Sequence, residues 1–150
     1  MNARAKRWYA GWFYAGAVYN VVWGAFVCLF PAKIALVTCL PPPIVIQLPF
    51  LQAIGMMVAS FGYGYYLLAR DPLRYFGFIW IALFGKVAGA LGFLYSAWIG
   101  ALPWSFGLVN LTNDVIWLPV FISFAVTVRF EATNVKASAE DAQERLNSRE

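Results

Sequence analysis

Histidine is missing from this 150-residue chain, and with it the commonest side-chain ligand for zinc and haem and the usual general base near neutral pH. Charge is scarce too: 12% of the residues are Asp, Glu, Lys or Arg, where an ordinary soluble domain carries about 25%. Cysteine is reduced to Cys28 and Cys39, whose spacing matches no metal site. They read either as two ordinary buried thiols or as a disulfide on an oxidising outer face. No metal and no cofactor is expected.

The formal charge of +4 does not make the chain a nucleic-acid binder, because its basic residues are not gathered on one polar face and no nucleic-acid-binding motif accompanies them. Their order follows a membrane rule instead. Arg4, Lys6 and Arg7 precede the first apolar run, Arg70 and Arg74 separate the second from the third, and Arg129, Lys136, Arg145 and Arg149 follow the fourth. The first connection on the other side carries only Lys33, and the second carries no charge. Retention of Lys and Arg on the cytoplasmic side produces this asymmetry, so both termini are expected to face the cytoplasm. The first apolar run exceeds a ~7–15-residue signal core and no small-residue cleavage site closes it, so it reads as an uncleaved span.

What fills the chain is apolar: 62% hydrophobic residues, 19% of all residues being aromatic. The expected fold is all-α, a polytopic membrane protein with an antiparallel four-transmembrane-helix bundle over residues 1–130 and a polar cytoplasmic tail over 131–150. Spans are predicted at about 8–30, 50–69, 75–98 and 105–128. Pro31 stops the first, Arg70-Asp71-Pro72 the second, and Gly100 with Pro103 the third. Residues 32–48 are apolar but broken by Pro41, Pro42 and Pro43, which makes an outer loop rather than a fifth span. The tail has too few large apolar residues to bury a core and reads as a frayed, water-exposed helix or as disorder. Trp8, Tyr75, Trp98 and Trp104, together with Tyr63, Tyr65 and Tyr66, read as interfacial belts, and Met56 and Met57 as packing residues. The glycosylation pattern at Asn110-Leu111-Thr112 falls inside a span and reads as accidental.

Between residues 75 and 128 the only fixed charges are Lys86 and Asp114. A charge in hydrocarbon costs at least ~2.5 kcal/mol on insertion scales, so such residues call for a partner, a water-filled cavity or a task. Asn110, Asn113, Asp114 and Trp117 stand at i, i+3, i+4 and i+7, on one helical face. Depth counting at ~1.5 Å per residue puts Lys86 about 18 Å, and Asp114 about 10–15 Å, from the outer ends of their spans, within reach of a lysine stem. The two are expected to meet in the interior, ringed by Asn20, Asn110 and Asn113, with Gln52 nearer the outer mouth. Gly85 and Gly89, and the row Gly16, Asn20 and Gly24, are expected to admit close helix neighbours. Pro119 is expected to leave the Val115 carbonyl without its helical donor.

Three readings of this cluster stay open: a polar lock that fixes helix register, a pocket for a small amphiphile, an anion or a quinone-like headgroup, and a route for protons or ions. The preferred function is a non-enzymatic integral membrane protein, either an accessory subunit of a larger membrane complex or a binder of a small amphiphilic molecule, alone or as a homodimer. The alternatives are a proton-coupled small transporter and a lipid- or isoprenoid-acting enzyme with Asp114 as general acid. Nucleic acid is excluded as a partner, and the lipid bilayer is the expected surround.

Residues 24–32, GAFVCLFPA, residues 51–75, LQAIGMMVASFGYGYYLLARDPLRY, and the Gly85-Lys86 pair resemble small bacterial four-span proteins of the DoxX-like kind over roughly residues 8–130. The resemblance implies a bacterial inner-membrane protein, in some members an accessory subunit of a membrane oxidoreductase. The segment NLTND at 110–114 has no counterpart in that pattern, so no site residue is carried over.

Overall fold

The computed structural model describes residues 1–34, 38 and 47–147, and among them it is helical with no strand. The first helix, α1, covers Ala3–Leu29 and starts where the Asn2 side chain accepts the Ala5 N–H at 2.8 Å, a standard N-terminal cap. It ends at Phe30, and Pro31 opens a single 3₁₀ turn over Pro31–Lys33. Helix α2, Leu48–Arg70, tolerates Pro49 because the first turn needs no donor there. Most of the proline-rich stretch predicted as an outer loop, with Pro41, Pro42, Pro43 and Cys39, lies outside the described residues, as do residues 148–150.

After α2 the chain turns on Asp71, whose backbone carbonyl accepts from Tyr75 N at 3.2 Å while its carboxylate accepts from Arg74 N at 3.2 Å. These bonds hold residues 72–77 in turns, so α3 begins at Phe78 rather than at the expected residue 75. Helix α3, Phe78–Trp98, ends on Gly100 at φ 74°. Gly100 N donates to the Ala97 carbonyl and Ala101 N to the Ser96 carbonyl, the paired bonds of a Schellman stop that needs a residue free to enter the left-handed region.

The last stretch is not the continuous helix expected over 105–128. A 3₁₀ turn at Trp104–Phe106 leads into α4, Gly107–Asn113; the helix breaks at Asp114, a 3₁₀ turn occupies Val115–Trp117, and α5 runs over Leu118–Asn147. Pro119 is the physical cause: without an N–H it fits only the first turn of a helix, so the chain tightens before it and restarts. The expectation of an orphaned Val115 carbonyl is corrected by the same turn, since that carbonyl accepts the Leu118 N–H. Helix α5 continues through the segment read as tail, as far as Asn147.

Neighbouring helices run antiparallel. Helices α1 and α2 touch backbone to backbone: a Cβ built on Gly24 would stand 2.5 Å from the Gly55 carbonyl oxygen, and one on Gly62 2.9 Å from that of Ala17. Toward the chain's N-terminal end an aromatic core joins all four long helices, with Phe13, Tyr65, Ile79, Phe121 and Phe124 fully enclosed. Tyr65 belongs to this core, not to an interfacial belt, whereas Tyr63 and Tyr66 are exposed. Met56 and Met57, expected as packing residues, are also exposed.

The exterior is apolar. Among the described residues thirty-two large hydrophobic side chains are exposed, far more than the single patch a soluble monomer shows. Among the described residues three stretches, Ala3–Leu29, Phe78–Trp98 and Trp104–Asn134, are long and apolar enough to cross a membrane. At 23 residues α2 is long enough too, about 34 Å, but its glycines, its tyrosines and Gln52 lower its hydropathy and it is not among the three.

Candidate functional site

The helix break makes the site. Because the backbone at residues 115–117 bonds in a 3₁₀ pattern, Trp117 N donates to the Asp114 carbonyl at 3.3 Å, one residue short of the α-helical partner. The carbonyls of Thr112 and Asn113 then take side-chain donors. The Trp117 indole N–H donates to Thr112 O at 3.0 Å, and the Lys86 ammonium, arriving from α3, donates to Asn113 O.

Asp114 lies at the break, 9% exposed, with both carboxylate oxygens engaged. Its Oδ1 accepts from Lys86 Nζ at 3.3 Å and from Asn113 Nδ2 at 3.0 Å; its Oδ2 accepts from Asn110 Nδ2 at 2.8 Å. Lys86 is 5% exposed. Each charge therefore has its counter-charge and at least one neutral partner, the condition under which a buried pair persists. Gly89, one turn beyond Lys86, provides the room: a Cβ there would stand 2.7 Å from Asp114 Oδ2. The close approach expected at Gly85 and Gly89 is thus made by a carboxylate and, at Gly85, by the Phe61 ring, not by another helix backbone.

Two cavities meet at this group. One, of about 270 Å³, is lined by Lys86 and Asn20 among apolar side chains including Phe61 and Ile81. The other, of about 410 Å³, runs toward the opposite end from the aromatic core, past Asn110, Gly89, Phe93 and Phe106 to Ile34 and Thr38. Val58, Asn113 and Asp114 line both. Of the partners of Asp114, Lys86 borders the first cavity, Asn110 the second, and Asn113 both.

Of the residues predicted for the cluster, Lys86, Asp114, Asn110 and Asn113 come together. Asn20 is buried on the wall of the smaller cavity, with its Nδ2 donating to the Gly16 carbonyl of its own helix at 2.8 Å. Gln52 does not stand at a mouth. It is exposed, and its Nε2 donates to the Cys28 carbonyl at 3.1 Å while the Cys28 thiol donates to the Gln52 carbonyl at 3.3 Å, a clasp between α1 and α2. Depth along a helix gave its level, but its azimuth faces α1. Trp117 faces α1 as well, packing on Tyr19 and over Gly16 behind the cluster. Cys28 is a free thiol, and its suggested partner Cys39 lies outside the described residues. Among the described residues no group of three His, Cys, Asp or Glu is placed to hold a metal ion.

Among the described residues two buried side-chain polar atoms have no hydrogen-bond partner: Asn113 Oδ1 and the Tyr65 hydroxyl. Swapping the amide ends of Asn113 would set an oxygen against the carboxylate, so its Nδ2 is fixed on Asp114 and its Oδ1 must look elsewhere for a donor. Tyr65 lies within electrostatic reach of Asp114. It was missed because its neighbours Tyr63 and Tyr66 suggested a belt, yet Phe61, Tyr65 and Leu68, at i, i+4 and i+7, mark an inward stripe.

No family model, no curated protein and no solved structure matches the chain.

Proposed function

We propose that this chain is a non-enzymatic protein of the bacterial inner membrane, crossed by all four long helices, that binds a small amphiphilic molecule at the Lys86–Asp114 centre, alone or as an accessory subunit of a larger complex. The crossing of α2 is supported by its backbone contact with α1 at both Gly24–Gly55 and Ala17–Gly62, since a helix so closely applied to a spanning helix shares its depth. Cytoplasmic termini are supported by the position of Lys6, Arg7, Arg70, Arg74 and Arg129 at one end of the molecule against Lys33 at the other.

The observation that carries the binding reading is the convergence of two mostly apolar cavities on one charge-paired polar group, the common form of a small-molecule site. The group is neutral overall. Asn113 Oδ1 offers an acceptor in want of a donor, and an ammonium has three N–H bonds, of which Lys86 gives one to Asn113 O and one to Asp114. A hydroxyl or amide headgroup answers both, while exposed Met57, Ile81 and Phe84 around the smaller cavity leave its approach open to a lipid phase. Mass spectrometry of the protein purified in mild detergent is expected to find one amphiphile retained by the wild type and absent from Lys86→Met/Asp114→Leu. The same lipids on both would reject this reading.

A second reading, proton passage, is favoured by one observation: Asp114 itself lines both cavities, with its Oδ1 bonded to Lys86 of the smaller and its Oδ2 to Asn110 of the larger. Proteoliposomes carrying a pH gradient would then discharge faster with the wild type than with Asp114→Asn. Equal rates would leave the binding reading alone.

A further inference from the structure

At the end of the molecule predicted to face the cytoplasm, a cleft of about 310 Å³ opens between the start of α1 and the turn after α2. Its charged lining is Lys6, Arg7, Arg70 and Asp71, three cations and one anion; Ala10, Ala69, Pro72 and Leu73 complete it. Asp71 already accepts the Arg74 N–H, so part of its acceptor capacity is turned into the chain's own turn. The cleft therefore presents a surplus of two positive charges in a depression large enough for a phosphate and its ester neighbours.

Immediately below it, the seam between α1 and α2 is covered by aromatic rings. Tyr14 and Tyr66 meet edge to face with centroids 6.2 Å apart, and Tyr63 stacks on Tyr66 at 6.3 Å. All three rings are exposed. Arg70 lies over the Tyr66 ring at 5.9 Å and its Nη1 donates to the Tyr66 hydroxyl at 3.4 Å, which stands the guanidinium at the boundary between the cationic cleft and the apolar seam. At the same end Arg74 lies over Tyr75 at 5.5 Å and Arg129 over Trp80 at 5.0 Å, so the arginines of this rim are held at one level by aromatic faces. A free anion needs the cleft alone. A cleft continued by an exposed aromatic groove fits a molecule with a phosphate at one end and a hydrocarbon chain at the other.

We infer that this cleft is a binding site for an anionic phospholipid, with the phosphodiester against Lys6, Arg7 and Arg70 and an acyl chain laid along the Tyr14–Tyr66 seam. The inference rests on the bilayer reading above and not on the Lys86–Asp114 centre, from which it is separated by the aromatic core. Basic clefts between membrane helices on the cytoplasmic side take anionic headgroups for the same electrostatic reason.

The test uses the full chain, delipidated and then reconstituted in nanodiscs of phosphatidylcholine doped with phosphatidylglycerol, with the lipid retained on the released protein read by native mass spectrometry. The wild type is expected to retain phosphatidylglycerol over phosphatidylcholine. Arg7→Gln/Arg70→Gln is expected to lose that preference by roughly 25-fold, about fivefold for each cation removed. Lys33→Gln/Arg129→Gln removes the same charge outside the cleft and is expected to keep the preference, as is the charge-conserving Arg7→Lys/Arg70→Lys, which also guards against misfolding of the glutamine variant. Equal loss in both glutamine pairs, or no preference in the wild type, overturns the site. Competition by inorganic phosphate as effective as that by short-chain phosphatidylglycerol overturns the lipid assignment. Failure of the protein to enter the nanodiscs at all would instead overturn the bilayer reading, a separate and visible outcome.

Discussion

The seam between α1 and α2 and the seam between α3 and the broken helix opposite it join helices by different physics. The first has backbones in contact at Gly24, Gly55 and Gly62, and its side-chain hydrogen bonds are the two of the Gln52–Cys28 clasp. The second is spanned by long or charged side chains, Lys86 to Asp114 and Asn113, with cavities on both sides of the contact. In lipid, where apolar burial between helices gains little, association rests either on close van der Waals approach or on polar bonds. Close approach leaves no volume. Polar bonds hold the helices apart at side-chain length, and the two cavities lie beside them.

The sharpest break of this contrast is to remove one charge from the polar seam. Lys86→Met leaves Asp114 buried without its counter-charge and is expected to destabilise the protein by about 3–5 kcal/mol. Adding Asp114→Leu should restore most of that loss, because the pair is neutral with respect to its surroundings. Thermal unfolding in detergent reads both. If the single and double variants melt together, the ion pair is not what joins α3 to the broken helix.

On the other seam, Gly24→Ala puts a methyl group 2.5 Å from a backbone oxygen that cannot rotate away. A loss of up to about 3 kcal/mol is expected, the upper part of the range for overpacking, with amphiphile retention at the Lys86–Asp114 centre unchanged in the folded fraction. Comparing Gly89→Ala with Gly85→Ala then sharpens the picture within one helix. The added carbon meets Asp114 Oδ2 at 2.7 Å in the first and the Phe61 ring at 3.4 Å in the second. A carboxylate end yields more easily than backbone, so Gly89→Ala should cost ~1 kcal/mol and disturb ligand retention, whereas Gly85→Ala should do neither. Equal effects at 85 and 89 would mean that Gly89 does not seat the carboxylate.

The polar seam was the more legible of the two from sequence. Two lone charges in apolar surroundings, with Asn110 and Asp114 one turn apart, announce a shared site through their cost alone. The break at Asp114 was only half legible: Pro119 signals that a carbonyl loses its donor, but which carbonyls are freed depends on how the chain tightens before the proline. It tightened into a 3₁₀ turn, which satisfied Val115 and left Thr112 and Asn113 to the Trp117 indole and the Lys86 ammonium. Gln52 shows the complementary failure, since counting residues gives depth but not which neighbour a side chain meets. Of the row Gly16, Asn20 and Gly24, only Gly24 meets the α2 backbone, while Gly16 faces the Tyr65 and Trp117 rings and Asn20 a cavity. Its mate Gly55, and Gly62 against Ala17, became meaningful only with the antiparallel register.

Tyr65 tests whether the polar seam ends at the ion pair or reaches down into the aromatic core. Its ring is fully enclosed, 5.1 Å from that of Phe121 and 5.8 Å from that of Phe78, while its hydroxyl has no partner. An unpaired buried hydroxyl costs about 1–3 kcal/mol in mutational series, so Tyr65→Phe, which keeps the ring, should leave stability unchanged or raise it by ~1 kcal/mol. If the hydroxyl serves the bound amphiphile, that gain is accompanied by weaker ligand retention; if it is only an unpaid polar atom of the core, retention stays at the wild-type level. A drop in stability without bound ligand would mean that the hydroxyl is bonded in the folded protein, and that the polar seam extends one helix further than Lys86 and Asp114.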